Sequence, residues 1–166
     1  EGSGVQAGSY IISPTQTLDE IASTIWSGDV IQTSFTIPEG WNREQMAERF
    51  EAQGFTTAEA FLAATEDVPY EQFSWLPNGI PHVEGFLYPD TYQLDSGATN
   101  AETLVDVMLS RFEEVALPVY ENQPSDYNLL DWVTLASIVE KEAVVSDERD
   151  QIASVFARRL EEGITL

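Results

Sequence analysis

The chain has 166 residues, of which 43% are hydrophobic, and it carries 29 acidic side chains against seven Lys and Arg, for a net charge of −22. That length and hydrophobic fraction suit a folded chain of one domain or two small ones. The charge opposes binding to nucleic acids and to anionic lipid surfaces, because both depend on Lys and Arg. The absence of cysteine excludes disulfides, thiol nucleophiles and thiolate zinc sites.

The first forty residues predict a strand, a helix and a second strand. Residues 9–13 (S-Y-I-I-S) form the first strand of this prediction. A helix then starts at Thr17 and stops at Gly28. Residues 30–37 alternate well enough for the second strand, which Pro38 ends. The same pattern occurs in many unrelated small folds, so it does not indicate a function by itself.

The middle of the chain predicts two helices and then an irregular stretch. Asn42 is a suitable cap for a helix that runs to about residue 53. Residues 56 and 57 restart a helix that runs to about residue 65. Residues 67–89 are rich in Pro, Gly and aromatic side chains, which is typical of irregular structure with short strands.

The last third of the chain predicts three more helices. Asn100 caps the first, which is followed by a loop that contains Pro118, Pro124 and Ser125. The second covers residues 129–144. Ser146 is a natural N-cap for the third, over residues 147–162. The whole pattern predicts an α+β fold.

The helix predicted over residues 129–144 carries two carboxylates, Glu140 and Glu142, near its end. Outside a polar strip its surface is apolar, which predicts burial on more than one side. The residues three, four and seven positions before Glu142 are all apolar: Val139, Ile138 and Leu135. A carboxyl among aliphatic side chains is desolvated, which favours the protonated form that a general acid needs. The alternative is that either glutamate forms a structural ion pair with Lys141 or Arg149, or lies at a frayed helix end.

Four stretches of the sequence together resemble one known family. They are I-P-E-G-W at 37–41, E-G-F-L-Y-P-D-T-Y at 84–92, L-A-S-I-V-E-K-E-A at 135–143 and E-R-D-Q-I-A-S-V-F-A-R-R-L-E-E-G at 148–163. Their order and spacing are similar to those of the endolytic murein (peptidoglycan) lytic transglycosylases, the MltG or YceG-like family. The resemblance covers nearly the whole chain, and its third and fourth stretches are highly specific.

The resemblance implies a division of the chain into three parts. Residues 1–40 would form a LysM-like subdomain, and residues 41–80 a helical linker region. Residues 81–166 would be the N-terminal part of the catalytic domain, which in the family continues with a Q-x-D-P-T-V-like segment. We therefore expect a truncated catalytic domain in these 166 residues.

The resemblance also implies an activity and a site. The family cleaves peptidoglycan glycan strands between N-acetylmuramic acid and N-acetylglucosamine and leaves 1,6-anhydro ends. Its catalytic glutamate is the second one of the E-K-E triplet, which is Glu142 in this sequence. The mixture of aromatic and hydrogen-bonding side chains in the second stretch predicts a sugar-binding role for Glu84, Tyr88, Asp90 and Tyr92. No metal or other cofactor is expected.

The expected partner is the glycan strand, with the cell-wall synthesis machinery as a further partner and no nucleic acid. The resemblance places the family at the inner membrane, with the catalytic part facing the periplasm or the cell exterior. These residues contain neither a signal peptide nor an apolar run of the roughly 18 residues that a membrane helix needs. We therefore expect the anchor to be N-terminal and outside this chain.

Two other functions fit parts of the sequence. A pyridoxal-phosphate enzyme would need Lys141, the only lysine, for its Schiff base. That lysine lies on the polar strip of its helix, and the sequence has no convincing Gly-rich phosphate cradle, which disfavours this reading. The second alternative is a non-catalytic peptidoglycan-binding module, for which the first forty residues would suffice.

Overall fold

The computed structural model describes residues 9–28, 32–95, 99–122, 127–143 and 145–164. Within these ranges the elements are α1 (Leu18–Ser27), β1 (Gln32–Thr36), α2 (Arg43–Ala52), α3 (Ala58–Glu66), β2 (Thr91–Asp95), α4 (Ala101–Asn122), α5 (Leu129–Glu142), a 3₁₀ turn (Ser146–Glu148) and α6 (Arg149–Glu161). This mixture confirms the predicted α+β class. None of the described helices is long and apolar enough to cross a membrane.

The two strands form one antiparallel pair, in which Phe35 lies opposite Tyr92. The strand predicted over residues 9–13 is wrong, because only Tyr10 makes an isolated bridge there. Ile11 and Ile12 in that segment are exposed, so neither packs into the core. In the second predicted strand, residues 30 and 31 lie outside the described residues, residues 32–36 form β1, and residue 37 follows the strand. The LysM-like assignment and the three domain boundaries stay predictions.

Side-chain caps begin most of the helices where the sequence predicted them. Asn42 accepts a hydrogen bond from the backbone N–H of Gln45 at 2.9 Å and so opens α2. The equivalent bonds at the starts of α1, α3 and α4 are accepted by Thr17, Thr57 and Asn100. Each cap satisfies an N–H that the first helical turn leaves without a partner.

Pro118 lies inside α4 and not in a loop, so that prediction is wrong. The buried face of α4 continues at Leu117, and the half-buried Tyr120 packs against the core beyond it. This burial outweighs the single backbone N–H that a proline removes. Pro124 and Ser125 lie outside the described residues.

The last helix also begins later than predicted. Ser146 opens a 3₁₀ turn, and α6 starts only at Arg149, without a side-chain cap. The short strands predicted within residues 67–89 are wrong as well, because that described stretch contains turns and no strand. Its backbone groups bond locally, to α3 or to α4; for example, the N–H of Val83 donates to the carbonyl of Thr65 in α3 at 3.0 Å.

The core lies between the strand pair, α2, α3 and α4. Phe35 of β1 packs edge-on against Phe50 of α2 and stacks on Tyr92, in both cases with 5.1 Å between ring centroids. A second cluster joins residues 67–89 to α4, with Trp75 stacked on Phe112 at 5.2 Å.

The helix α5 adds only one face to this core. Its buried residues are Leu129, Val133 and Val139, and Leu130 and Ala136 are exposed. The prediction that α5 is buried on more than one side is therefore wrong for the described chain. α6 packs along α5 and has no buried residue.

Candidate functional site

A groove of about 540 Å³ lies where the four recognised stretches meet. The turn at residues 37–41 and the loop at residues 84–89 form one side, and α5 and the start of α6 form the other. Most of its wall is apolar or aromatic. The polar and charged residues on it are Asn42, Glu84, Tyr88, Ser137, Glu140, Lys141, Arg149 and Asp150.

The first two residues of the loop at residues 84–89 lie against two helices, Glu84 against α2 and Gly85 against α5. Glu84 Oε2 accepts a hydrogen bond from the backbone N–H of Arg43, the first residue of α2, at 3.0 Å. Gly85 has a φ of +84°, and a Cβ built on it would lie 2.8 Å from Cγ1 of Val133. Only glycine combines this left-handed backbone with so close an approach to α5.

Of the four residues predicted to bind sugar, Glu84 and Tyr88 line the groove. Asp90 instead pairs with Arg111 of α4 at 2.7 Å between its Oδ2 and Nε. The backbone N–H of Thr91 and the guanidinium of Arg111 both donate to the Asp90 carboxyl and hold its pKa below the usual range. Asp90 therefore fastens the strand pair to α4, and it is not among the groove-lining residues.

Tyr92 lies in the core beneath the loop. Its ring stacks on Phe35, and its hydroxyl donates to the backbone carbonyl of Tyr88. Burial, with the nearby Asp90 carboxylate as a second cause, raises the pKa of the Tyr92 hydroxyl. Tyr92 thus supports the segment that carries Tyr88 and does not itself line the groove.

The two carboxylates of α5 line different depressions. Glu140 is half-buried in the groove, and its Cδ would lie 3.9 Å from a Cβ built on Gly40. Glu142, the last residue of α5, is exposed and lines a smaller depression of about 330 Å³ between α5 and α6. The desolvation that the sequence predicted at Glu142 is therefore absent from the described structure.

The predicted ion-pair partners of these glutamates bind elsewhere. Lys141 Nζ donates to the carbonyl oxygen of Gly40 at 2.9 Å, and Arg149 Nη2 lies 3.3 Å from Oε2 of Glu39. Within the described ranges, no ion pair includes Glu140 or Glu142. Both cations join the 37–41 turn to the helices on the other side of the groove.

The sequence analysis missed two groove residues, Trp41 and Trp132. Both are half-buried, so part of each indole is accessible from the groove. Trp41 closes the I-P-E-G-W stretch, and that position was the available signal for it. Trp132 lies on the first turn of α5, where the sequence pattern suggested a core residue. In the described part of the chain, no three acidic or histidine side chains gather as a metal site would require.

The sequence matches the YceG-like family over residues 1–166. It is 28% identical to an endolytic murein transglycosylase of Streptococcus pneumoniae serotype 2, over 98% of this chain and 34% of that protein. It is also 28% identical to an endolytic murein transglycosylase of Bacillus subtilis, over 99% of this chain and 49% of that protein. The chain thus spans about a third to a half of the length of these curated relatives.

A solved structure with a similar fold is that of a YceG-like protein from Listeria monocytogenes. Its TM-score with this chain is 0.63 at 27% sequence identity, and the match covers 92% of this chain and 55% of the other. The two chains are therefore similar in sequence as well as in fold.

Proposed function

Because this chain belongs to the YceG-like family, we propose that the protein containing it is an endolytic lytic transglycosylase of peptidoglycan. The observation that carries the proposal is that all four recognised stretches contribute to one groove. The curated relatives that match nearly the whole chain are named endolytic murein transglycosylases.

The proposed reaction breaks the bond between N-acetylmuramic acid and N-acetylglucosamine within a glycan strand. One carboxyl protonates the leaving glycosidic oxygen as a general acid. The resulting carboxylate then takes the proton of the C6 hydroxyl of the N-acetylmuramic acid. The C6 oxygen bonds to C1 of that sugar and so closes the 1,6-anhydro ring. Neither water nor a metal takes part, and the acetamido group of the substrate can stabilise the oxocarbenium-like transition state.

We propose Glu142 as the proton donor, since the family's catalytic position falls on it. Its exposure at the end of α5 leaves the carboxyl accessible to a ligand. Glu140, two positions earlier, lines the groove and is the alternative donor. The two glutamates therefore have to be tested side by side.

We also propose that the groove binds the glycan. Trp41 and Trp132 offer aromatic faces of the kind that stack on sugar rings, and Glu84 and Tyr88 offer hydrogen-bonding groups. The role of Asp90 and Tyr92 is indirect in this proposal, because their contacts hold the loop that carries Tyr88. We further propose that the protein acts on this substrate outside the cytoplasm, at the inner membrane, with cell-wall synthesis proteins as further partners.

The test compares Glu142→Gln and Glu140→Gln in the natural full-length protein. We expect Glu142→Gln to lower the release of anhydro-muropeptides from purified glycan strands by about 10²–10⁴-fold, the usual cost of losing a general acid. The melting temperature should stay near that of the wild type, since the exchange creates no cavity. Glu140→Gln is the matched control and should keep most of the turnover.

Two outcomes would contradict the proposal. Loss of turnover in Glu140→Gln alone, with the fold intact, would move the proton donor to Glu140. Saturable glycan binding by the wild type without any anhydro product would instead favour the non-catalytic peptidoglycan-binding module.

A further inference from the structure

Two contacts join the 37–41 turn to the end of α5 and the beginning of α6. The ammonium group of Lys141 donates to the carbonyl oxygen of Gly40 at 2.9 Å, across 101 positions of sequence. The guanidinium of Arg149 pairs with the carboxylate of Glu39 at 3.3 Å, across 110 positions. All four of these residues belong to the recognised stretches, Glu39 and Gly40 on one side of the groove and Lys141 and Arg149 on the other.

These contacts act where α5 has little other support. In its last turn only Val139 is buried, whereas Lys141 and Glu142 are exposed. The turn on the other side is well fixed, because Ile37 is buried and Asn42 caps α2. Lys141 also stands between the two carboxylates, so its anchorage constrains the backbone from which both side chains extend.

These contacts are expected to differ in their effect on folding stability and on the reaction rate. The side chains of Arg149 and Glu39 are 47% and 68% exposed. An exposed pair of this kind contributes little to folding stability. A displacement of about 1 Å at a reacting group can lower a rate by about 10²-fold. The contacts can therefore matter for turnover while they matter little for global stability.

We infer that Lys141 and Arg149 are positioning residues that hold the end of α5 and the start of α6 against the 37–41 turn, and so fix the carboxyls of Glu140 and Glu142 relative to the groove. This inference rests on the proposed transglycosylase function. Both cations also line the groove, but in this inference each acts through the backbone that it anchors and not through contact with the substrate.

The first test replaces Lys141 in the natural full-length protein. Lys141→Met keeps much of the aliphatic stem and removes the donor. We expect kcat to fall by about 10–100-fold with little change in KM, because the acid is misplaced while the groove persists. Lys141→Arg retains a donor and should recover most of the rate. Arg158→Met is the control, since Arg158 pairs with Glu162, the residue that follows α6, and is not among the groove-lining residues.

The second test addresses the Arg149–Glu39 pair. Glu39→Arg and Arg149→Glu should each lower kcat, and the double exchange, which restores opposite charges, should recover part of the loss. Unchanged kcat in Lys141→Met, or a fall in kcat that merely follows a fall in melting temperature, would overturn the inference.

Hydrogen exchange provides a readout that is independent of activity. In Lys141→Met the amides of residues 37–42 and of the last turn of α5 should exchange faster than in the wild type, while those of α3 should not change. Unchanged exchange at both places would overturn the inference. A wild-type protein that is inactive on glycan would count against the proposed function, and the exchange result would still decide whether the two cations anchor the groove.

Discussion

Gly85 is the residue at which the backbone of the 84–89 loop comes nearest to α5. Its φ of +84° lies in the left-handed region, and a Cβ would approach Cγ1 of the buried Val133 to 2.8 Å. Since Val133 is β-branched and packed in the core, it has little freedom to move aside. The loop can lie this close to α5 only because glycine has no side chain, and this approach sets the width of the groove between them.

We predict that Gly85→Ala lowers the free energy of unfolding by about 2–4 kcal/mol, because backbone strain and overpacking add. Gly79→Ala is the matched control, since Gly79 has a φ of +78° but no atom lies within 4 Å of its Cβ position. The control should lose only the backbone part, about 1–2 kcal/mol. Urea unfolding of both variants measures the difference, and equal losses would show that the contact with Val133 is harmless.

At the same scale, the sequence could identify candidate site residues but not all of their surroundings. It predicted Glu84 and Tyr88 for the groove, and both line it. The prediction of burial at Glu142 considered only the neighbours on its own helix. The burial of a side chain also depends on which other elements cover it. The structure leaves that end of α5 exposed. Tyr92 shows the same limit, since only the pairing with β1 places its ring in the core.

Among the elements, α2 depends at its start on a carboxylate from a distant loop. Glu84 Oε2 binds the N–H of Arg43, in the first turn of the helix, while Asn42 binds the N–H of Gln45. Together the two side chains satisfy two donors that the helix itself leaves free. A negative charge at this end is also favoured by the helix dipole.

We predict that Glu84→Ala lowers the free energy of unfolding by about 1 kcal/mol, the usual effect of losing a helix cap. Glu84→Gln keeps a carbonyl oxygen as acceptor and should lose less. Asn42→Ala is the control, because it removes the other cap of the same helix and should cost about the same. Thermal or urea unfolding compares the three variants. If Glu84→Ala unfolds like the wild type, the bond to Arg43 contributes nothing to folding.

Helices were more predictable than strands in this chain, because a helix begins at a capping residue that the local sequence identifies. Asn42 and Asn100 cap their helices as predicted, and Thr57 caps the helix that was predicted to restart at residues 56 and 57. A strand needs a partner, and β1 finds its partner in residues 91–95, which the sequence analysis did not identify as a strand. The alternation in T-Y-Q-L-D, directly after the Pro-Asp turn, was the available signal.

At the scale of the whole molecule, the main feature is the net charge of −22, which affects the stability of the fold. Like charges repel one another more strongly in the compact state than in the extended chain, which lowers stability. Salt weakens this repulsion, since the screening length falls from about 30 Å at 0.01 M to about 10 Å at 0.1 M ionic strength.

We predict that raising NaCl from 0.01 M to 0.5 M at pH 7 increases the melting temperature by about 2–4 °C, because the screened repulsion amounts to about 1 kcal/mol. The control is the same titration at the isoelectric point of about 4.1, where the net charge vanishes and the increase should be much smaller. Calorimetry at both pH values measures the two slopes. A rise of equal size at both would assign the effect to general salting-out and not to charge.

The strand pair described above sets an order of assembly for the chain as it is synthesised from its N-terminus. Thr36 and Thr91 face each other from 55 positions apart, with α2 and α3 in between. Until residues 91–95 have left the ribosome, β1 lacks its pairing with β2, and Phe35 has no Tyr92 on which to stack. During that interval an unpaired edge and an aromatic surface stay open to other chains, which is the state in which nascent proteins aggregate or recruit chaperones.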